Sequence, residues 1–548
     1  MKAESGTTVS LWAATADVPQ FKPLDHDIYA EVCVIGGGLA GLTTAYLAAE
    51  KGLAVVVLDD NDICGGETHR TTAHLSNVID DHYSELVKKL GVHKSMLAQQ
   101  AHTAAINAIQ RIAVTERIDC DFRWVPGFLF CGPNQDADDL RKEFEAAQKI
   151  RFSGVEMLKS TPFGSALPND FPCIKYPRQA QFHVLKYLSG LAKAISRLSG
   201  RIFTYTHVSE IKDGQPAVVT TAGGAKVRAQ WVVVATNSPV SDYMKVYMKE
   251  AAWRTYALAG AVDRGYVDEA LFWDLADPYH YIRTQPLEDH NHEWLVVGGE
   301  DHRTGHEANP AVRLSALEDY TRELFPAVRE VQLHWSGQVM ETMDGLALIG
   351  RDPERGDNIL MYSGDSGMGM THGTIAGMLL TDMMSGTENS WEAIFDPKRP
   401  GGLYATVQTA RGAYDIARSY VAKGDVDSLA EVAPGTGAVI DHKGKKIAVY
   451  RGINNEICQL SAVCPHMKGV LQWNSCEHTW DCPAHGSRFL ATGEVVNGPA
   501  NSNMGKVAGA DQLPEQSDGP GVETGADIFP DMQAPPPEQI GDEPWQGI

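Results

Sequence analysis

The sequence predicts an α/β protein with a nucleotide-binding domain near its N-terminus and a small all-β domain near its C-terminus. From Glu31, a strand, a glycine-rich turn, a helix and a second strand follow in order, which is the opening of a doubly wound α/β domain. Shorter alternating runs over about 250–340 indicate an inserted, more antiparallel sheet. Short strand-like runs, "KKIAVYRG" and "EICQLSAVC", then lead into a cluster of cysteines and histidines.

Length and composition favour a protein of about two to four structural units, since 548 residues exceed one ordinary core. A hydrophobic content of 43% and a charged content of 21% are typical of soluble globular proteins. The formal net charge of −23 argues against a nucleic-acid partner. The N-terminal run lacks a secretory signal, no apolar segment is long enough for a membrane span, and nine cysteines are too few for a disulfide scaffold, so we expect a cytoplasmic protein.

The run "VIGGGLAG" carries the nucleotide-binding prediction. It places Gly36, Gly38 and Gly41 in G-x-G-x-x-G spacing, after a strand and into a helix. The first glycine permits the tight turn, the second lets the backbone approach a pyrophosphate, and the third lets helix and strand pack closely. Asp59 closes the second strand 18 residues after Gly41, where a carboxylate accepts hydrogen bonds from an adenosine ribose.

The cysteine and histidine cluster consists of two mixed pairs, Cys464-x-His466 and Cys482-x-x-His485, with 15 residues between them. A two-iron, two-sulfur cluster needs two protein ligands on each iron, and imidazoles in place of two thiolates raise its reduction potential. Zinc is the alternative, but structural zinc sites usually pair Cys with Cys and His with His. The pattern therefore favours the iron–sulfur cluster.

These pairs and the Gly469 and Gly486-Ser487 that follow them resemble the Rieske family over residues 431–505. The chain has Gly469 and Ala484 where the quinol-oxidising members carry a disulfide, and Phe489 where they carry a tyrosine that hydrogen-bonds a ligand sulfur. Fewer donors to the sulfurs stabilise the reduced state less. We therefore expect a potential below the top of the Rieske range.

The segments "DDNDICGGETHRTTAHLS", "VVVATNSP" and "SGDSGMGMTHG" resemble the D-amino-acid-oxidase-like flavoproteins, which include glycine, sarcosine and γ-glutamylputrescine oxidases, over about residues 31–390. The resemblance implies FAD, a flavin-binding domain in discontinuous segments and a substrate-binding sheet over the flavin ring. It implies that these residues contact FAD: Gly66, Thr68, His74, Val208, Ala235, Thr236, Gly367, Gly369, Met370 and Thr371.

Two departures from this family bear on the substrate. Val339 stands where single-subunit sarcosine oxidases attach their flavin through a cysteine, so we expect non-covalent FAD. Thr371 stands where the same enzymes bind the substrate carboxylate with a lysine, which favours an amine of some kind over a plain amino acid. The predicted catalytic or pocket residues are His74, Tyr281, Arg283, Trp335 and His372.

The predicted function is FAD-dependent oxidation of a C–N bond in a small amine or N-substituted amino acid, followed by hydrolysis of the imine. We expect the electrons to pass from flavin to the Rieske cluster and on to a one-electron carrier protein or a quinone. Three alternatives stay open: a flavin reductase fed by the cluster, a non-catalytic electron-transfer protein, and an oxygenase. The oxygenase would need a mononuclear iron, for which His302, His306 and Glu307 are the candidate ligands.

The predicted organisation has five parts. They are an N-terminal strap at 1–30, an FAD-dependent oxidoreductase domain at 31–400 with substrate-binding parts at about 111–175 and 250–340, a helical connector at 401–430, the Rieske domain at 431–505, and an acidic tail at 506–548. Residues 507–548 contain 13 Pro and Gly and no Lys or Arg, a composition typical of disorder.

Overall fold

The structure of the protein, a computed structural model, describes residues 6–132, 135–164, 171–238, 244–307 and 309–507. For residues 244, 245, 402–406, 408 and 409 it describes the backbone alone. The predicted acidic tail lies outside the described residues from position 508 onward.

The first sheet forms the nucleotide-binding half of the fold. Within the described part of the chain it has eight strands, in the order β16-β17-β10-β1-β2-β7, with the β8-β9 hairpin attached to β10. Its strands, numbered along the chain, are β1 (Ile28–Ile35), β2 (Val55–Leu58), β7 (Arg201–Phe203), β8 (Val208–Lys212), β9 (Ala217–Thr221), β10 (Lys226–Val234), β16 (Leu348–Arg351) and β17 (Ile359–Ser363). Because β1 pairs parallel to both β2 and β10, the doubly wound prediction is confirmed.

Helices pack on both sheets. They are α1 (Leu11–Thr15), α2 (Leu39–Glu50), α3 (His82–Leu90), α4 (Val92–Thr115), α5 (Ala137–Lys149), α6 (Val184–Arg197), α7 (Met244–Tyr247), α8 (Ala311–Leu324), α9 (Gly369–Met384), α10 (Glu392–Phe395) and α11 (Gly402–Val421). Helices α2, α6 and α9 belong to the first sheet, and α8 packs on two strands of the second. Helix α2 is buried along almost its whole length because α6 and α9 pack on it. No helix in the described residues is long and apolar enough to cross a membrane.

The second sheet is the predicted insertion. Among the described residues it has nine strands, in the order β15-β11-β14-β13-β12-β4-β6-β3, with β5 beside β6. They are β3 (His74–Leu75), β4 (Arg123–Phe130), β5 (Glu156–Leu158), β6 (Cys173–Gln181), β11 (Glu250–Asp263), β12 (Leu271–Asp274), β13 (His280–Pro286), β14 (His292–Arg303) and β15 (Leu333–Thr342). All pairs are antiparallel except β4 with β12, so the antiparallel prediction is confirmed.

The C-terminal region, which we call the Cys/His domain, is all β, as predicted. A three-stranded and a four-stranded antiparallel sheet are present in its described residues. Their strands are β18 (Thr436–His442), β19 (Lys445–Arg451), β20 (Ile457–Ser461), β21 (Gln472–Asn474), β22 (Thr479–Asp481), β23 (Arg488–Leu490) and β24 (Val495–Asn497). Leu460, Trp480 and Phe489 are buried at the centre of this small core.

Candidate functional site

A cavity of about 1590 Å³ lies between the two sheets. One side is formed by the carboxyl ends of β1, β2 and β10, through Ile35, Leu58 and Ala235, and the other by the second sheet. In open α/β sheets, ligands bind outside the carboxyl ends of the strands. The position and size of this cavity therefore suit a dinucleotide together with a small substrate.

The glycine turn has the geometry that the sequence motif predicts. Gly36 has a φ of +103°, and a Cβ there would lie 2.4 Å from the carbonyl oxygen of Ala235. A Cβ on Gly41 would lie 1.8 Å from the carbonyl oxygen of Gly36. The turn and the helix behind it therefore require glycine, which leaves bare backbone facing the cavity. Asp59 also lines the cavity, and its carboxylate accepts a hydrogen bond from the Gly37 amide at 2.5 Å.

Most of the residues predicted to bind the cofactor line this one cavity. They are Gly36, Gly38, Asp59, Gly66, Thr68, His74, Val208, Ala235, Thr236, Gly367, Gly369 and Met370. Thr371 does not line it, because its hydroxyl is turned to His102 Nδ1, 2.8 Å away. Gly41 packs against the turn instead of facing the cavity. Because chain segments far apart in sequence converge here, the cradle fits FAD.

Of the predicted catalytic residues, His74 and Tyr281 line the cavity, whereas Arg283, Trp335 and His372 do not. Arg283 is fully buried, and its guanidinium donates to four backbone carbonyl oxygens and to a glutamine side chain. The Trp335 indole donates to the carbonyl oxygen of Arg70 at 2.9 Å, and both His372 ring nitrogens are hydrogen-bonded to backbone. Their polar groups are already satisfied inside the fold, so we do not assign substrate contacts to these three residues.

The second sheet gives the cavity an aromatic wall, of which only Tyr281 was predicted from the sequence. Trp253 and Trp273 line the cavity together with Tyr279 and Tyr281, whose rings lie 5.5 Å apart. The His74 ring meets Tyr281 edge-on, and burial lowers the pKa of His74 to about 3, so its imidazole is neutral. Such walls bind apolar chains and cationic groups.

Three carboxylates that the sequence analysis missed also line this part of the cavity. Asp80 accepts a hydrogen bond from the Tyr279 hydroxyl at 2.6 Å, and Oδ1 of Asp301 is buried without a hydrogen-bond partner. Burial raises the pKa of Asp80 to about 6 and that of Asp301 to about 7. Burial and neighbouring carboxylates also raise the pKa of Glu341 well above its usual value.

No lysine or arginine in the described residues forms an ion pair with these three carboxylates, since the nearby Lys89 pairs with Asp81 at 3.0 Å. Buried carboxylates without a cation are costly to ionise, and a bound cation would relieve that cost. This end of the cavity is therefore suited to a positively charged ligand.

The two Cys/His pairs converge in the Cys/His domain. Cys464 and Cys482 are both buried, their thiols act on each other electrostatically, and the rings of His466 and His485 lie 5.2 Å apart. Nδ1 of His485 is buried without a hydrogen-bond partner, as expected of a nitrogen that serves as a metal ligand.

Local backbone bonds shape the two ligand loops. The Cys464 amide donates to the carbonyl oxygen of Gly469, and the Cys482 amide to that of Ser487, both at 2.8 Å. Among the described residues no three metal-ligating side chains form a single-ion site. A cluster of two irons bridged by sulfide takes only two protein ligands on each iron, so this arrangement fits a two-iron centre.

The residues proposed for a mononuclear iron do not form a shared site. His302 hydrogen-bonds the Tyr256 hydroxyl, 3.0 Å away. His306 Nε2 lies 3.1 Å from the carbonyl oxygen of Pro483, and Glu307 pairs with an arginine of α8. A two-His, one-carboxylate iron site needs the three ligands on one face of the metal. This geometry argues against the oxygenase alternative.

The Cys/His domain packs on β15 and on the turn Glu67–Arg70, where a buried ion pair forms. The Glu477 carboxylate accepts hydrogen bonds from Arg70 at 2.8 Å and from the Ser336 hydroxyl at 2.5 Å, and the side chains of Arg70 and Glu477 are fully buried. Burial opposes ionisation of Glu477, but neighbouring arginines, Arg70 foremost, outweigh it and hold its pKa at about 2. Two charges are thus matched where the domains meet.

Asp481 extends this interface on the Cys/His side. It lies 3.2 Å from Arg488 of its own domain and 4.0 Å from Arg254 of β11. Sequence reasoning missed these contacts, although one signal was present. Arg254 interrupts the otherwise apolar run "AAWRTYALAGAV", and a buried arginine in a strand requires an acidic partner.

Comparison with known proteins agrees with both halves of this site. The model of the FAD dependent oxidoreductase family matches residues 31–383, which is more than half of the chain. The chain belongs to this family. The model of the Rieske [2Fe-2S] domain matches residues 423–514. The protein is therefore an FAD-dependent oxidoreductase with a C-terminal Rieske domain, and its cofactors are FAD and a Rieske 2Fe–2S cluster.

Relatives share one or both halves. The Rieske-type protein YhfW of Bacillus subtilis (strain 168) is 30% identical over 89% of this chain and 95% of its own length. The γ-glutamylputrescine oxidoreductase of Escherichia coli (strain K12) is 28% identical over 74% of this chain and 96% of its own. Glycine oxidase from Geobacillus kaustophilus, a solved structure, matches 68% of this chain and 99% of its own with a TM-score of 0.57 and 19% identity, which shows a shared fold.

Proposed function

We propose that this oxidoreductase oxidises a C–N bond of a cationic amine and passes the electrons through its Rieske cluster to an external one-electron carrier protein or quinone. The observation that carries the proposal is that the domain that holds the cluster forms part of the wall of the flavin cavity. Residues 495–498 of the Cys/His domain line the same cavity as the glycine turn, and the loop after His485 contacts β11 and β15.

The reaction balances with an acceptor of this class. Oxidation of the C–N bond removes two electrons and two protons from the amine, and addition of one water to the imine yields a carbonyl compound and a free amine. When bound, FAD takes up two electrons together and releases them singly, whereas a Rieske centre carries one. Two equivalents of a one-electron carrier, or one quinone, complete the turnover.

The side chains of the cavity wall support an amine as the substrate. Asp80, Asp301 and Glu341 offer carboxylates to a cationic nitrogen, and Tyr279 and Tyr281 offer aromatic faces to its alkyl chain. In this arrangement the carboxylates bind and orient the nitrogen, while the aromatic rings exclude water beside the carbon to be oxidised. A relative acts on an amine of this kind, according to its name, γ-glutamylputrescine oxidoreductase.

A substrate that also carries a carboxylate is the second candidate, and Arg411 favours it. This arginine of α11 lines the cavity, and its charge acts on His306. Such a substrate would be an amine at the Asp301 end and an acid at the Arg411 end. Comparing a plain diamine with an N-substituted amino acid of similar length separates the two candidates.

The test is anaerobic mixing of the holoenzyme with a panel of amines, followed by flavin absorbance and the electron paramagnetic resonance (EPR) of the cluster. We expect flavin bleaching first and the reduced Rieske signal afterwards. In Cys482→Ser, which removes a cluster ligand, bleaching should survive, while reduction of a one-electron carrier should fall at least a hundredfold.

The variant Cys476→Ser makes a matched control, because Cys476 is only partly buried and lies outside the ligand pairs. It should behave as wild type in both steps. Carrier reduction by Cys482→Ser at the wild-type rate would show that electrons leave the flavin by another route, and the proposal would be wrong.

A further inference from the structure

We propose that Gln338 of β15 connects the flavin cavity electronically to the Rieske cluster, an inference that rests on the function proposed above. Gln338 and its neighbour Val339 both line the cavity. The Gln338 side-chain amide donates to the carbonyl oxygen of Gly486, 3.1 Å away. Gly486 directly follows the cluster ligand His485 in the chain. One residue therefore touches both the cavity and the ligand loop.

The ligand loop lies close against the second sheet at Gly486. Gly486 has a φ of +78°, and a Cβ there would lie 2.2 Å from Cβ of Ala252 in β11. Only glycine permits this approach, because any side chain would collide with the strand. The peptide that follows His485 is thereby held in direct contact with β11 and β15.

The Gln338 side chain is held in one orientation. It is only 3% exposed, and its Oε1 accepts a hydrogen bond from the Thr304 hydroxyl at 3.5 Å while its Nε2 donates to Gly486. With the oxygen and the nitrogen each engaged, rotation of the amide would break both bonds. This fixed amide is what a stable contact between two redox sites needs.

The backbone of Gln338 is tied to the flavin side of the cavity. Its amide donates to Oε2 of Glu67, 2.6 Å away, in the turn that carries Thr68. The other Glu67 oxygen accepts a hydrogen bond from Asn497 of β24 at 3.0 Å. Glu67 thus fixes the position of β15 relative to both the flavin cradle and the Rieske domain.

This contact provides a short bonded route for electrons. Electron transfer slows steeply with each gap between packed atoms, and covalent bonds and hydrogen bonds carry electronic coupling better than such gaps do. The route runs from the β15 backbone through the Gln338 amide to the Gly486 carbonyl and on to His485. Each passage moves one electron from the reduced flavin to the ferric pair of the cluster, and two passages follow each amine oxidised.

The test is Gln338→Met, which keeps the length of the side chain and removes the N–H donor. FAD in the anaerobic holoenzyme is reduced by a light flash with an added photoreductant, so that the measurement needs no amine, and the appearance of the cluster signal is timed. We expect cluster reduction to slow at least tenfold, with the g-values and midpoint potential of the chemically reduced cluster unchanged. Gln332→Met, at a polar position just before β15, is the control and should match wild type.

Three results would count against the proposal. Wild-type transfer rates in Gln338→Met would show that Gln338 is not on the route. A changed g-value or potential would assign it a role in shaping the cluster instead. If photoreduced wild-type protein never reduced its own cluster, the proposed function itself would fail. Should the Met variant lose the cluster, Gln338→Glu, of equal size and without the amide donor, must show the same slowed transfer.

Discussion

Two regions at the second sheet contain buried acidic side chains, and they differ in whether a basic side chain pairs with the carboxylate. Where the Rieske domain docks, Glu477 is fully buried and bonded to Arg70. At the cavity wall, Asp301 is buried at Oδ1 with no partner for that atom. The pKa of Glu477 is held at about 2, whereas burial raises that of Asp301 to about 7.

The difference separates carboxylates that build the protein from those that are open to a ligand. A buried carboxylate costs free energy unless a cation compensates it. The docking region supplies that cation from within the chain, so its acids stabilise one arrangement of the two domains. At the cavity wall no lysine or arginine of the described residues pairs with Asp301, and the charge of the nearby His280 does not outweigh the effect of burial, so a bound cation can supply the remaining compensation.

The largest effect, on stability, should come from breaking the buried ion pair between Arg70 and Glu477. Glu477→Gln leaves Arg70 buried without its counter-charge, which should lower the free energy of unfolding by about 3–5 kcal/mol. Chemical denaturation of the holoenzyme, followed by the cluster and flavin absorbance, measures this loss. Glu494→Gln, an exposed position in the same domain, is the control and should change stability by less than about 0.5 kcal/mol. Equal stability of the two variants would contradict the assignment of Glu477 as a structural anchor.

A smaller effect, on ligand affinity, should come from neutralising Asp301, the carboxylate without an ion-pair partner. Asp301→Asn should weaken binding of a diamine by about 10- to 100-fold, the range expected for one charge-assisted hydrogen bond of about 1.5–3 kcal/mol. Stability should not fall, because no ion pair is lost. Titration of the oxidised enzyme with a non-oxidisable diammonium ligand measures the affinity. Asp263→Asn, at the exposed end of β11, is the control, and an unchanged affinity in Asp301→Asn would place the cation elsewhere.

The smallest effect is a pH dependence of that affinity. Because the pKa of Asp301 is raised to about 7, its carboxylate is mostly neutral below pH 7 and mostly ionised above it. A cation binds the ionised form better, so affinity for the diammonium ligand should rise with pH, by up to about tenfold between pH 6 and pH 8. In Asp301→Asn the same titration should be flatter. An affinity that falls as pH rises would have the wrong sign for a carboxylate site.

The sequence alone determined the features that depend on short-range geometry. The G-x-G-x-x-G turn and Asp59 lie within one strand–helix–strand unit, and each Cys/His pair lies within one loop, so their spacing already specifies the shape. The separate antiparallel sheet was predictable for a similar reason, since alternation of side chains along a strand is local.

The tertiary structure decided which residues face one another across the chain. Arg70 and Glu477 are 407 positions apart, and Gln338 and Gly486 are 148 apart. Arg283 and Tyr281 lie on the same strand, and the sequence predicted both as pocket residues. Only Tyr281 lines the cavity, whereas Arg283 is buried among backbone carbonyls. A local sequence pattern does not show whether a charged side chain pairs within the protein or stays available to a ligand. That depends on which partner the packing of distant segments brings next to it.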